Sequence, residues 1–156
     1  MVYRFSFLRR YTHRGSTNGR GSKGATLESV EGYEPHCRFS IEHAVDHFTV
    51  DANKSHGRID ARGALVDAEG RAVELVNTGL VRINEATLPL IQQQPDAKTA
   101  PFGHGLEVVH FRTGCDEYKD LENRIFVSSM RFTYIDGERT GIEQRISEVV
   151  SGTGME

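Results

Sequence analysis

Hydrophobic and polar positions alternate most cleanly over residues 57–79, where Ile59, Ala61 and Leu65 are interleaved with Asp60 and Arg62. Successive side chains of a strand point to opposite faces, so this pattern predicts one apolar and one polar face. Asp67-Ala-Glu-Gly70 supplies a tight turn, and the returning segment groups Val73, Leu75 and Asn77 on one side. An acid beside an arginine, backed by apolar residues, is one way a β-barrel wall presents polar groups to a cavity. Asp60 and Arg62 are therefore expected to line such a cavity.

Strand signals outnumber helix signals elsewhere. Residues 39–43 and 46–51 alternate in part, and residues 105–112 are rich in β-formers. Residues 124–135 run to the turn at Asp136-Gly137, and residues 141–150 return as a final strand. The connection over residues 136–141 is expected to be longer than a two-residue hairpin loop. A helix is predicted over residues 85–94, with Asn84 as N-cap and Pro89 in the first turn, where its missing N–H costs nothing. A second short helix follows Gly114, over residues 116–123. Strands of this length between turn signals suggest a barrel or a sandwich. Residues 12–24 contain several glycines and read as a flexible arm, residues 94–103 as a long loop rimming a pocket, and residues 151–156 as a frayed tail. No internal repeat is present.

Composition narrows the class. A chain of 156 residues with 37% hydrophobic and 26% charged residues suits one soluble globular domain. The net charge of −3 gives no pull toward nucleic acid or an anionic membrane. No apolar run approaches the roughly 20 residues that span a bilayer, and Arg4 interrupts the short apolar start, so no signal peptide is read. Cys37 and Cys115 are too few for a disulfide framework and suit a reducing, cytoplasmic setting.

Familiar chemistries are mostly excluded. Gly19, Gly21 and Gly24 have dinucleotide-loop spacing, but no helix or parallel-sheet pattern follows, so no nucleotide cofactor is expected. His43 and His47 would share one metal on a helix, whereas on a strand they stand about 13 Å apart. No metal site is expected from that pair, and one assembled across separate strands stays open. Histidine titrates near neutrality and moves protons both ways, while a carboxylate beside an arginine can act as base next to a charge-holding guanidinium. This points to Asp60, Arg62, His47, His104, His110 and Tyr118 as a catalytic set, with Asp46, Asn77, Glu107 and Arg112 as substrate contacts. The bland alternative makes Asp60 and Arg62 an ion pair stapling two strands.

Asp46-His-Phe, Asp60-Ala-Arg62, Asp67-Ala-Glu-Gly70, Asn77-Thr-Gly79, Phe111-Arg-Thr-Gly114, Tyr118, Leu121-Glu-Asn123 and Phe126-Val127 together resemble the pattern of the domain-of-unknown-function 3237 family. These are small single-domain proteins of bacteria and fungi, and the resemblance covers roughly residues 44–127. It implies a compact antiparallel, calycin-like β-barrel with an internal pocket, often dimeric, without established activity or required cofactor. It also points to Asp46, Asp60, Arg62, Asn77 and Tyr118. The chain departs from the pattern at His47, Gly63, Arg112 and Asp120, where the family has large aromatics or, at Arg112, an acid. These exchanges imply a more open and polar pocket.

The resulting expectation is a mainly β protein, residues 1–156 forming a single barrel with one or two short helices. Its expected activity is cofactor-independent isomerisation, cyclisation or dehydration of a small, mostly apolar biosynthetic intermediate, in a homodimer. The alternatives are a non-catalytic small-molecule-binding barrel and a purely structural oligomer partner with a filled core.

Overall fold

The computed structural model describes residues 4–9, 25–135 and 138–152. The glycine-rich stretch 12–24, with its dinucleotide-like spacing, falls outside these residues, as does the end of the expected tail. Nine strands lie among the described residues: β1 Arg4–Arg9, β2 Thr26–Glu28, β3 Arg38–Asp46, β4 Thr49–Val50, β5 His56–Val66, β6 Ala72–Arg82, β7 Gly105–Arg112, β8 Ile125–Ile135 and β9 Glu138–Val149. All pairings are antiparallel, in the order β3-β2-β1-β9-β8-β7-β6-β5-β4. A further β3–β5 ladder joins the two ends, closing eight strands into a ring and removing their free edges. The architecture is an antiparallel β-barrel, the first of the two options left by the strand spacing.

Local irregularities follow from packing. The register of β3 on β5 shifts between Ile41 and His43, so an extra residue enters the strand and both Ile41 and Ala44 face inward. Beyond β3, β4 continues along the same β5 strand, with Phe48 between them. The predicted helix over 85–94 is shorter, Leu88–Ile91, with Thr87 at its N-cap and Pro89 in its first turn. Asn84 caps the preceding turn instead, accepting the amides of Ala86 and Thr87 on Oδ1. The second helix spans Asp116–Asn123, as the sequence predicts, but as a 3-10 helix. The last hairpin corrects the expectation: Ile135 pairs with Glu138, leaving only two residues between the strands.

Two apolar clusters occupy the barrel. The larger contains Leu27, Phe39, Leu65, Val73, Leu75, Phe111, Phe126 and Ile146, closed by Tyr118 and Leu121 of the 3-10 helix. The smaller, toward the opposite end, contains Ile59, Ala61, Val81 and Met130, with Phe48, Phe132 and Ile142 against it. The loop after the α-helix is pinned to β8 and packs against Phe132 and Tyr134. Ala100 N–H donates to the Phe132 carbonyl at 3.0 Å, and Tyr134 O–H donates to the Pro95 carbonyl at 2.8 Å.

Candidate functional site

The alternation on β5 is as the sequence predicts, but its polar row faces outward. Ile59, Ala61 and Leu65 are buried, whereas Asp60 and Arg62 are exposed. This overturns the expectation that the pair lines a cavity. Burial of the apolar row is the stronger force, and water is the lower-energy surrounding for a carboxylate and a guanidinium. Nor do the two pair with each other across strands. Arg62 approaches Glu74 at 3.8 Å, and Arg112 reaches the same carboxylate at 3.6 Å. With side chains more than half exposed on both arginines, such contacts contribute little.

The remaining candidates do not converge. His47 and Asp60 exchange backbone hydrogen bonds at 2.9 and 3.3 Å, so they share the outer face. His110 is exposed on β7, and Asp46 is half-buried at the end of β3. His104 precedes β7, where Asn84 Nδ2 lies 3.0 Å from its Nδ1. Tyr118 is a strut. Its O–H donates to Asp67 Oδ2 at 2.8 Å, and Arg71 Nε donates to the same oxygen at 2.5 Å. Asp67 also accepts the amides of Glu69 and Arg71 across the turn, whose Gly70 takes φ +82°, a conformation that favours glycine. Burial opposes ionisation of Asp67, but the Tyr118 hydroxyl and the Arg71 amide and guanidinium outweigh it, holding the carboxyl below the usual range. Burial, followed by the hydrogen bond to Asp67, pushes the Tyr118 phenol up to about 12. Burial likewise pushes the Cys37 thiol up to about 12.

Asn77 and Glu107 do come together, inside the barrel. Glu107 Oε2 accepts Ser128 Oγ at 2.7 Å and the Gln144 side-chain amide. Asn77 Nδ2 donates to Gln144 Oε1 at 3.4 Å, while Asn77 Oδ1 has no hydrogen-bond partner among the described residues. These four side chains come from four successive strands, β6 to β9, and form a polar layer between the two apolar clusters. Sequence reasoning did not single out Ser128 and Gln144. Their signal is strand parity, since Ser128 lies between Phe126 and Met130, and Gln144 two residues before Ile146.

The reverse holds on the outside of the same strands. Leu106, Val108, Ile125, Val127 and Val149 are exposed. Leu80, Leu106, Val108 and Val127, with Thr78, Ser129, Arg145, Ser147 and Phe102, line an open groove of about 730 Å³. The pairings place them in two rows across the strands: Leu80–Leu106–Ser129–Arg145 and Thr78–Val108–Val127–Ser147. Gly79 and Glu107 also border the groove, and a Cβ at Gly79 would lie 2.3 Å from the Leu106 carbonyl oxygen. Only glycine lets β6 and β7 approach this closely. Phe102 lies against two guanidiniums, with Arg131 Cζ 4.5 Å and Arg145 Cζ 4.4 Å from its ring centre.

The model of a family described as "Protein of unknown function (DUF3237)" matches residues 12–149. No curated protein matches the chain. Among solved structures, a protein of unknown function from Rhodopseudomonas palustris is similar at TM-score 0.62 and 17% identity, covering 96% of this chain and 97% of that one. One from Clostridium acetobutylicum ATCC 824 has TM-score 0.57 and 14% identity, covering 96% and 97%. A β-barrel-like protein from Acinetobacter baumannii AYE has TM-score 0.51 and 18% identity, covering 96% and 93%. These likenesses extend to the fold. No helix among the described residues is long and apolar enough to cross a membrane.

Proposed function

We propose that this chain, which belongs to the DUF3237 family, is a non-catalytic barrel that binds a small, mostly apolar molecule in the groove on the outer face of β6–β9. The observation that carries this reading is the inverted placement of side chains on β7. Leu106 and Val108 face water over a groove of about 730 Å³, within the usual range for small-ligand sites, while the acid between them is buried. A free surface of that kind is stabilised when an apolar ligand covers it. The acid–base reading has less support. Its catalytic residues are spread over the outer face, the mouth of β7 and the Asp67 turn, and no shared reacting point joins them.

Titration calorimetry with 1-decanol tests the proposal. One saturable site is expected in the native chain, weakened about tenfold by Leu106→Glu, since withdrawing roughly 50 Å² of apolar contact costs on the order of 1.3 kcal/mol. Leu106 is exposed, so the fold should be retained. Absence of saturable binding, or binding indifferent to Leu106→Glu, would refute the groove as the site.

A further inference from the structure

We infer that the groove is built for an amphipathic anion, a molecule with an apolar body and a carboxylate or similar head. This inference rests on the binding reading above and adds the chemistry of the ligand's polar end. The two rows of groove side chains are not equivalent along their length. Toward β6 and β7 they are Leu80, Leu106 and Val108, with the uncharged Thr78 at one corner, whereas at β9 they end in Arg145 and Ser147.

Arg145 and Ser129 face each other across strands, which brings their side chains within about 5 Å at the Cβ atoms. Ser147 stands two residues along β9 on the same face, roughly 7 Å away. Ser129 Oγ accepts the Gly103 amide at 3.1 Å, which leaves its O–H free to donate. An acid head placed here would meet a guanidinium and two hydroxyl donors from two adjacent strands.

The local charge balance has the matching sign. Glu143 is held by Arg131, whose Nε donates to Oε2 at 2.7 Å, while Arg145 Nε stands 3.9 Å from Oε1. Among the described residues one carboxylate thus serves two guanidiniums, which gives this cluster one positive charge in excess. Both guanidiniums lie against the Phe102 ring, a contact that does not consume their hydrogen-bond donors. Glu107, the acid among the groove's lining residues, directs Oε2 toward Ser128 and Gln144 in the interior layer. It does not oppose an anion at the Arg145 end, whereas a cationic head there would meet uncompensated arginine charge.

Three probes of equal chain length, decanoate, decanol and decylammonium, separate this inference from the one beneath it. By calorimetry, decanoate should bind about fivefold tighter than decanol, the worth of one half-exposed ion pair, and decylammonium more weakly than either. Arg145→Gln should bring decanoate down to the decanol value, and Arg145→Lys should restore part of the difference. Raising the salt concentration should weaken decanoate alone, a readout that needs no variant to fold. Equal binding of decanoate and decanol in the native chain would overturn the anion inference and leave apolar binding standing. Tighter binding of decylammonium would also overturn it. Failure of all three to bind would remove both readings.

Discussion

Strands β5 and β7 both alternate, but the first half of β7, Leu106 to Val108, uses the alternation in the opposite sense to β5. Its second half buries Val109 and Phe111 as expected. On β5 the inner row is Ile59, Ala61 and Leu65 and the outer row holds Asp60 and Arg62. This is the arrangement that the hydrophobic effect alone dictates for a wall with one wet face. On β7 the inner row includes Glu107, and the outer row includes Leu106 and Val108. That reversal costs free energy on both faces, by desolvating a carboxyl inside and leaving apolar surface in water outside. Where a fold departs from its own rule, a function is the usual compensation. The acid–arginine pair on β5 is conspicuous in the sequence, yet it is ordinary in the barrel. The informative strand is β7.

The largest test of that contrast is Gly79→Ala. The new methyl would meet the Leu106 carbonyl oxygen at 2.3 Å and Glu107 Cα at 2.7 Å, so β6 or β7 must shift. A loss of about 3 kcal/mol in chemical unfolding is expected, with ligand binding lost as well. Next is Glu107→Ala, which strands the Ser128 hydroxyl and the Gln144 amide in the interior. About 2 kcal/mol of destabilisation should follow. If Glu107→Ala proved neutral, the inner half of the contrast would collapse.

Acid stability sharpens the difference between a strut and a site. The Asp67 carboxyl is held below its ordinary value in the folded chain, so its stabilisation is complete above the unfolded value near 4. It is lost progressively as pH falls from there through the folded value. Unfolding midpoints measured from pH 7 down to pH 2 should therefore show a steep acid limb that Asp67→Asn flattens. Groove binding at pH 7 should be unchanged by Tyr118→Phe, because Tyr118 supports the turn and not the groove. The smallest effect is expected at β5, where Asp60→Asn and Arg62→Ala should each shift stability by no more than about 0.5 kcal/mol. A large loss of stability or binding in either would restore β5 as the functional strand.

Much of this was legible in the sequence. Period-two patterning places β5, β6, β7 and β9, the turn residues place the Asp67 hairpin, and the 3-10 helix Asp116–Asn123 falls where its polar run begins after Gly114. Alternation also groups Val73, Leu75 and Asn77 correctly. On β5 the apolar row turns inward as burial dictates, but alternation does not show where that rule fails, as at Leu106, Glu107 and Val108 on β7. That placement depends on the register of the closed sheet, which no single strand carries. Glu107 could be named as a candidate, but Ser128 and Gln144 become its partners only through the register of β7 on β8 and β8 on β9. The groove had no sequence signal beyond the apolar residues at Leu106, Val108 and Val127, which read equally well as core. The short two-residue connection before Glu138 was missed because the strand pairing extends further than the apolar pattern does.

An outer groove requires that the outward face of β7 meet the ligand. Methyl-resolved NMR of the native chain titrated with decanoate measures this directly. The prediction is that the methyl signals of Leu106, Val108 and Val127 move with ligand while those of Leu75, Val109 and Ile146 stay in place. Movement confined to the interior set would put the ligand inside the barrel and contradict the outer groove.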